Sequence, residues 1–183
     1  FVVSQEVALA DVPADLNDAG EGDKDAHIDG LINNAKTLLG LEHYSIIFQL
    51  ALKTILTDIR EDLTEFRVTF DEWFSEQQLI DQGMIEHTFD VLREKSFLYE
   101  KEGALWFKAS EFGDEKDRVL QKSNGDRTYF ANDIAYHLNK LERGNVHIID
   151  ILGADHHGYI ARMRAAIEVF TGKKDVLTVP LIQ

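Results

Sequence analysis

The stretch N-V-H-I-I-D-I-L-G-A-D-H-H-G-Y, residues 145–159, decides how the rest of the sequence is interpreted. It begins with an apolar run typical of a buried β-strand and ends in a polar turn bounded by two glycines. In open α/β sheets, ligands bind where parallel strands end and the chain turns over the carboxyl edge of the sheet. The turn therefore predicts a ligand-facing loop with Asp155, His156 and His157 at its centre.

Two other interpretations of this turn stay open on the residues alone. The adjacent His156 and His157 could bind a metal, but adjacent side chains diverge on a turn and no third ligand stands at a helical spacing. The histidines could also only cap the helix predicted to follow them. The position between a strand and a helix N-terminus favours bound anions and polar ligands, so we prefer the ligand-facing loop.

The elements around this stretch alternate between strands and helices. A strand is predicted at residues 128–130, and a helix capped by Asn132 follows and ends near Gly144. After the apolar run come a helix at residues 159–170 and a strand at 176–182, in which Pro180 suits an edge or a strand end. This alternation is typical of a parallel, right-handed α/β layer.

A second group of candidate binding residues flanks the other strand-to-helix turn. Tyr129 and Asp133 can reach the same edge of the predicted sheet, and Asp133 would lie in the first turn of a helix, where the dipole favours a carboxylate. A tyrosine and a carboxylate in a partly dry cleft suit a planar cation such as a guanidinium. The plainer alternative is that Asp133 only caps its helix.

The first half of the sequence is predicted to be mostly helical. A helix capped by Asp25 or Asp29 starts near Leu31, and Gly40 interrupts or ends it. The helix after it carries a regular apolar stripe, typical of a face packed in a core, which consists of Ile47, Ala51, Ile55, Ile59 and Leu63. Residues 2–12 fit either a strand or a short helix. Residues 15–25 predict a solvated acidic loop, because Ala19 and Ala26 occupy two ligand positions of a calcium-binding template.

The middle of the sequence changes to short elements. Alternating apolar residues at 66–70 predict a half-buried strand, and a helix follows at residues 83–95. Residues 97–107 predict two β segments around a turn at 101–103. A charged turn at 111–117 then leads into a strand at 118–122, which an Asn-Gly turn closes.

The composition excludes several classes of protein. The 183 residues carry a net charge of −14, so the chain as a whole is unsuited to general electrostatic binding of nucleic acid. Cysteine is absent, which excludes disulfides and thiolate metal sites. No apolar run approaches the roughly 20 residues of a membrane helix, so we expect no membrane partner and a cytoplasmic protein. A start at Phe1 without methionine and an apolar end at residues 181–183 predict a piece of a longer protein.

Several motifs resemble bacterial arginyl-tRNA synthetase. They are D-R-T-Y-F-A-N-D-I-A-Y-H-L-N-K-L-E-R-G at 126–144 and G-A-D-H-H-G-Y at 153–159. The segments F-G-D-E-K-D-R-V-L-Q-K-S-N-G at 112–125 and F-D-E-W-F-S-E at 70–76 look like the same family. The resemblance runs from about residue 66 to 172. It implies a class I enzyme that activates arginine with ATP and transfers it to tRNA(Arg).

The resemblance also implies a fold and a set of binding residues. Residues 1–95 would be a mostly helical insertion, and residues 96–183, with a β-hairpin, would be the second half of a Rossmann-like parallel sheet. Tyr129, Asp133 and His157 would bind arginine, with Asp133 pairing the guanidinium. Gly153, Asp155 and His156 would line the ATP and adenylate site. ATP is then a substrate, Mg²⁺ is expected to accompany it in the full enzyme, and no metal is expected within this chain.

Two family signatures are missing from the sequence. The H-I-G-H-like motif that holds the ATP phosphates is absent, and residues 27–30, H-I-D-G, have the wrong order. A K-M-S-K-S-like loop is also absent. We therefore expect no catalytic residue in this chain, inactivity of the chain by itself, and self-association through exposed sheet edges. The full enzyme is expected to be a monomer. The alternative is a non-catalytic module of the same fold that binds tRNA or a protein.

Overall fold

The computed structural model describes residues 12–15 and 20–183. The described residues up to Asp71 form one compact unit, and Glu72–Gln183 form the other. The expectation of a strand or short helix at residues 2–12 falls almost wholly outside the described residues. The proposed division of the sequence at residue 95 stays a prediction.

Helix α1, Lys24–Glu65, dominates the described part of the first unit. Asp23 caps it, with Oδ1 accepting from the backbone N–H of Ala26 at 3.0 Å, so the predicted caps Asp25 and Asp29 were wrong. Gly40 has φ 71° and ψ 158°, which confirms the predicted interruption. No described residue of α1 is buried, so the predicted apolar stripe is uncovered within this unit.

The predicted strand at residues 66–70 was wrong, because these residues close α1 instead. The N–H of Val68 donates to the carbonyl of Leu63 and the N–H of Arg67 to that of Thr64, the hydrogen-bond pair of a Schellman cap. Arg67 has φ 61°, the left-handed conformation that the cap requires. The alternating apolar residues that suggested a strand therefore belong to the segment that caps α1.

The second unit begins with two helices and an antiparallel sheet. Helix α2 is Gln77–Asp81 and helix α3 is Met84–Glu94, which confirms the helix predicted at 83–95. Strands β1, Leu98–Lys101, and β2, Ala104–Phe107, form the predicted hairpin, and β3, Arg118–Gln121, pairs antiparallel with β2. Between β2 and β3, the 3₁₀ segment Ala109–Phe112 overlaps the start of the charged turn predicted at residues 111–117.

The last part of the chain contains two helices and four short strands that pair in parallel. Helix α4, Tyr129–Glu142, is capped by Thr128, so the strand predicted at 128–130 and the cap Asn132 were wrong. After β4, Ile148–Ile149, and β5, Leu152–Gly153, the chain forms the 3₁₀ segment Ala154–Tyr159 and helix α5, Ile160–Thr171. Strands β6, Leu177–Thr178, and β7, Leu181–Ile182, complete the unit.

The four short strands form one interrupted parallel ladder. β4 pairs with β6, and β5 pairs with β7. The amides of Ile148, Asp150 and Leu152 donate to the carbonyls of residues 176, 178 and 180. Residue 180 cannot return a hydrogen bond to Asp150, because Pro180 has no N–H. The proline thus explains why a single predicted strand is divided in two.

The hydrophobic core of the second unit lies among α3, α4, α5 and the antiparallel sheet. The predicted inward faces are confirmed at Ile85, Phe89 and Leu92 of α3, which are at most 7% exposed. Each of α4 and α5 also presents one apolar face to this core. The buried residues of those faces include Phe130, Ile134, Leu138, Met163, Ile167 and Val169. The core fixes α4 beside the amino end of α5, where the polar side chains described next meet.

Candidate functional site

A cavity of about 760 Å³ lies between α4, the β4–β5 segment and the start of α5. It has the size of a small-molecule site, and apolar side chains make up part of its wall. The residues that line it are Tyr129, Asp133, Tyr136, His137, Lys140, Ile149, Asp150, Ile151, Leu152, His156, Tyr159, Ile160, Met163 and Val179.

Asp133 and Tyr129 stand one helical turn apart on α4, and both line the cavity. Residues four apart lie on the same face of a helix, so the first residue of α4 and its fifth share the ligand side. The Tyr129 side chain is freely accessible, since the residue is 89% exposed. The structure therefore brings together the two residues that the sequence predicted to meet, although on a helix and not at the end of a strand.

Asp133 has a neutral hydrogen-bond partner. The hydroxyl of Tyr159 donates to its Oδ2 atom, and burial followed by this hydrogen bond raises the pKa of Tyr159 well above its usual range. The phenol therefore stays protonated at neutral pH. Among the described residues, no lysine, arginine or histidine side chain pairs with the Asp133 carboxylate.

A second carboxylate, Asp150, lines the same cavity but is neutralised. Its Oδ2 atom lies 2.5 Å from Nε2 of His137, and its Oδ1 atom lies 3.1 Å from Nζ of Lys140. Nδ1 of His137 lies 2.7 Å from the carbonyl oxygen of Asp133, which can only accept, so both ring nitrogens face acceptors. Burial acts to raise the pKa of Asp150, but the hydrogen bond and charge of His137 with the charge of Lys140 outweigh it and lower that pKa.

The cavity therefore has an uneven distribution of charge. Asp150 faces the Lys140 ammonium group and the His137 imidazole, whereas Asp133 faces a phenol that carries no charge. A carboxylate that lacks a cationic partner in a half-buried setting attracts a cation from the ligand. We infer that Asp133 is the group in this cavity with which a guanidinium or ammonium ligand would pair.

Helix α4 is also held from the side by the segment that precedes α2. Glu72 pairs with Arg143, and the ring of Phe74 stacks on Tyr136 with 4.7 Å between centroids. The Arg143 guanidinium also lies over the Phe74 ring. Two residues of the motif at 70–76, Glu72 and Phe74, therefore pack against α4 beside Tyr136 of the cavity wall.

Of the binding residues predicted on the polar turn, some line the cavity and others do not. His156 lines the cavity, whereas Gly153, Asp155 and His157 are not among its lining residues. Asp155 and His156 are exposed, and Oδ2 of Asp155 lies 3.7 Å from Nε2 of His156. The expected helix after the turn begins at Ile160. The turn therefore lies next to the cavity, and one of its two histidines forms part of the cavity wall.

The sequence patterns missed five polar residues of the cavity: Tyr136, His137, Lys140, Asp150 and Tyr159. A signal for three of them exists, because Tyr136, His137 and Lys140 follow Asp133 at the i+3, i+4 and i+7 spacing of one helical face. Asp150 is a charged residue inside an apolar run, and such an interruption is a signal as well. Arg162, predicted to point outward, is half-buried, with its guanidinium 5.2 Å from the centre of the Tyr159 ring.

Two other kinds of site are not found in the part of the chain that the structure describes. There, no group of three or more histidine, aspartate or glutamate side chains could hold a metal ion. Helices long and apolar enough to cross a bilayer are also absent from residues 12–15 and 20–183.

One family model matches most of the chain. It describes the catalytic domain of class I tRNA synthetases (R), and it matches residues 32–171. These residues include the whole cavity wall except Val179.

Curated relatives and solved structures share the same description. The arginine–tRNA ligase of Hydrogenovibrio crunogenus is 53% identical over the whole chain, which covers 30% of that protein. That of Acinetobacter baylyi is 55% identical over 88% of the chain and 27% of the relative. An arginyl-tRNA synthetase structure from Campylobacter jejuni superimposes with a TM-score of 0.72 and 35% identity, covering 87% of this chain and 35% of that one. The chain thus spans under a third of the curated relatives that it matches.

Proposed function

Because this chain belongs to the family of class I tRNA synthetases for arginine, we propose that it forms the arginine-binding part of an arginine–tRNA ligase. In the reaction, the carboxylate of arginine attacks the α-phosphorus of ATP, and pyrophosphate leaves. The 3′-terminal ribose of tRNA(Arg) then attacks the arginyl carbonyl, and AMP leaves. The relatives' descriptions support this role over that of a non-catalytic binding module.

The observation that carries the proposal is the free charge of Asp133. Its carboxylate lines the cavity, and among the residues that the structure describes its one side-chain partner is the Tyr159 hydroxyl, while the neighbouring Asp150 is paired with His137 and Lys140. A guanidinium presents a planar fork of N–H donors that matches the two oxygens of a carboxylate. We assign the guanidinium of arginine to Asp133.

Tyr129 is proposed to cover the same guanidinium. It stands one turn before Asp133, and its ring is accessible from the cavity. A guanidinium plane stacks on an aromatic ring and keeps its N–H groups free for hydrogen bonds. Apolar side chains such as Ile160 and Met163 can cover the methylene groups of the substrate.

The polar turn at residues 153–157 is proposed to serve the adenylate. Gly153, Asp155 and His156 would lie along the nucleotide, and His157 would approach the amino acid. The place of His156 in the cavity wall favours the opposite order of the two histidines. Separate alanine variants distinguish these orders, since the histidine next to arginine changes the KM for arginine more than that for ATP.

The remaining parts of the reaction are proposed to come from outside this sequence. Catalysis by this chain would consist of positioning, as expected for an in-line attack on a phosphate. The parallel strand pair would belong to the second half of a Rossmann-like sheet. No described cluster fits a bound metal, so Mg²⁺ would arrive with ATP. The motifs that hold the phosphates are absent from the sequence, and the chain by itself should not catalyse arginine-dependent ATP–pyrophosphate exchange.

The assignment is tested with Asp133→Asn in the full-length protein that contains this chain. Losing the carboxylate removes a charge-assisted pair, and such losses cost at least about 2–5 kcal/mol. We expect kcat/KM for arginine in tRNA charging to fall about 100-fold or more. The KM for ATP should change far less.

The matched control is Asp175→Asn, the same chemical change at an exposed aspartate after α5. It should leave both KM values unchanged. If Asp133→Asn charged tRNA(Arg) as well as the control does, Asp133 would not bind arginine and the proposed function would be wrong.

A further inference from the structure

The hydroxyl of Tyr159 connects the two segments that form the proposed arginine site. Tyr159 is the last residue of the 3₁₀ segment Ala154–Tyr159, and its hydroxyl donates to Oδ2 of Asp133 on α4. Both residues line the cavity. The hydrogen bond therefore joins the polar turn to the carboxylate that we assign to the guanidinium.

The ring of Tyr159 is held on two sides. It meets the ring of Phe130 edge-on, with 5.9 Å between centroids and an angle of 86°. The guanidinium of Arg162 lies 5.2 Å from its centroid. Because the ring is fixed by these contacts, its hydroxyl is a fixed donor, and the carboxylate that accepts from it loses rotational freedom before any ligand binds.

A phenol fixes the carboxylate without competing for its charge. A lysine or arginine in the same place would neutralise Asp133, as the Lys140 ammonium group does for Asp150. A carboxylate offers about four lone-pair positions, and one hydroxyl occupies one of them. The Oδ1 atom and the remaining lone pair of Oδ2 stay available to a guanidinium fork.

We propose that Tyr159 is a positioning residue that orients the Asp133 carboxylate for the guanidinium of arginine. This inference rests on the proposed function, since it assumes that Asp133 binds arginine. Tyr159 would act through Asp133 and not by touching the reacting atoms. Its removal should therefore weaken arginine binding selectively.

The test is Tyr159→Phe in the full-length protein, which keeps the packed ring and removes only the hydroxyl. We expect the KM for arginine in tRNA charging to rise about 10-fold, with kcat and the KM for ATP within about 2-fold of the wild type. Calorimetric titration with arginine alone should show the same loss of affinity. An equal rise of both KM values would indicate a general structural role and overturn the proposal.

Tyr99→Phe is a matched control, because the Tyr99 hydroxyl donates to Oδ2 of Asp117 at 2.8 Å outside the cavity. It removes the same kind of hydrogen bond and should leave both KM values unchanged. A tenfold rise of the arginine KM in this control would show that any lost tyrosine–aspartate bond has the effect, and would overturn the proposal.

A double-mutant cycle separates positioning from independent effects. If Tyr159 acts through Asp133, adding Tyr159→Phe to Asp133→Asn causes no further loss of kcat/KM for arginine. Fully additive losses would overturn the positioning role. If Tyr159→Phe leaves the KM for arginine unchanged while Asp133→Asn lowers kcat/KM for arginine strongly, this inference alone is refuted. If Asp133→Asn does not lower kcat/KM for arginine, the proposed function is refuted.

Discussion

Asp114 and Arg118 form a buried ion pair at the end of the segment between β2 and β3. Nε and Nη2 of Arg118 lie 2.6 and 2.5 Å from the two carboxylate oxygens. The side chains are 2% and 15% exposed, so the pair is shielded from water. The sequence predicted a charged turn here. A bidentate pair inside such a turn depends on the path of the backbone, which charge patterns do not encode.

At the residue scale, we predict that Asp114→Asn lowers the free energy of unfolding by about 3 kcal/mol, because it leaves a buried guanidinium without its counter-charge. The matched control is Asp90→Asn, which removes an exposed pair with Arg93 and should cost less than about 0.5 kcal/mol. Urea unfolding of the 183-residue chain measures both values. Equal losses in the two variants would show that burial of the Asp114 pair has no energetic consequence.

The dependence of the free energy of unfolding on pH should also reflect Asp114 at acidic pH. Burial acts to raise the pKa of Asp114, but the hydrogen bonds and charge of Arg118 outweigh it, and the pKa is lowered in the folded chain. An aspartate with a lowered folded pKa stabilises the fold above its unfolded pKa of about 4, and that stabilisation is lost as the pH falls through the folded value. The urea midpoint should therefore fall on acidification below about pH 5, and less steeply in Asp114→Asn. An identical pH slope in variant and wild type would contradict this.

Residue patterns predicted part of the cavity. Tyr129 and Asp133 were found because they flank a turn, and the structure places both at the cavity. Tyr159 and Asp150 were not assigned to it, because their partners lie 26 and 13 residues away in the sequence. The pairing of a turn tyrosine with a helix carboxylate follows from how α4 packs beside α5, and single-sequence patterns do not contain that information.

At the scale of elements, Ser96 occupies an unfavourable position after α3. The N–H groups of Ser96 and Phe97 donate to the carbonyls of Arg93 and Leu92, which forms a Schellman cap, and Ser96 has φ 66°. After α4, Gly144 fills the equivalent position with φ 94°. One cap thus uses the residue suited to the left-handed conformation and the other does not.

We predict that Ser96→Gly raises the free energy of unfolding by about 0.5 kcal/mol, since relief of backbone strain exceeds the extra freedom of glycine in the unfolded chain. Gly144→Ala should do the opposite and cost about 1 kcal/mol. Chemical denaturation of the two variants provides the comparison. Destabilisation by Ser96→Gly would mean that the serine side chain makes a favourable contact worth more than the strain.

Long periodic segments were predicted better than short ones. The apolar faces of α3, α4 and α5 repeat over three or more turns, and the structure buries those faces. The predicted strands at 66–70 and 128–130 are a helix cap and a helix start, because segments of three to five residues fit several local structures. The hairpin was predicted because its turn contains Gly103, which has φ 73°.

At the scale of the whole molecule, the chain has the fold of a class I synthetase catalytic domain, with helices and small sheets. Large apolar side chains remain exposed in each unit. Ile55 of α1 is 59% exposed, Ile149 of β4 is 61% exposed, and Ile151 between β4 and β5 is 64% exposed. Parallel sheets are usually covered on both faces, so this ladder has an uncovered face within its unit.

We predict that the isolated 183-residue chain self-associates at high concentration, since exposed apolar patches and open strand edges promote association. Light scattering should give a mass above that of the monomer, and replacing Ile149 and Ile151 by lysine should lower it. The control replaces Ile55 by lysine and tests the surface of α1. A monomeric mass for the unmodified chain would refute the prediction.

The interrupted ladder has a consequence for the exchange of amide hydrogens with deuterated solvent. The amides of Ile148, Asp150 and Leu152 donate hydrogen bonds to the carbonyls of residues 176, 178 and 180. By the alternation of a parallel strand, the amides of Ile149 and Ile151 face the opposite edge. The amides of Ile149 and Ile151 should therefore exchange with deuterium faster than those of Ile148, Asp150 and Leu152. The fast-exchanging amides would mark the edge at which a further strand can pair.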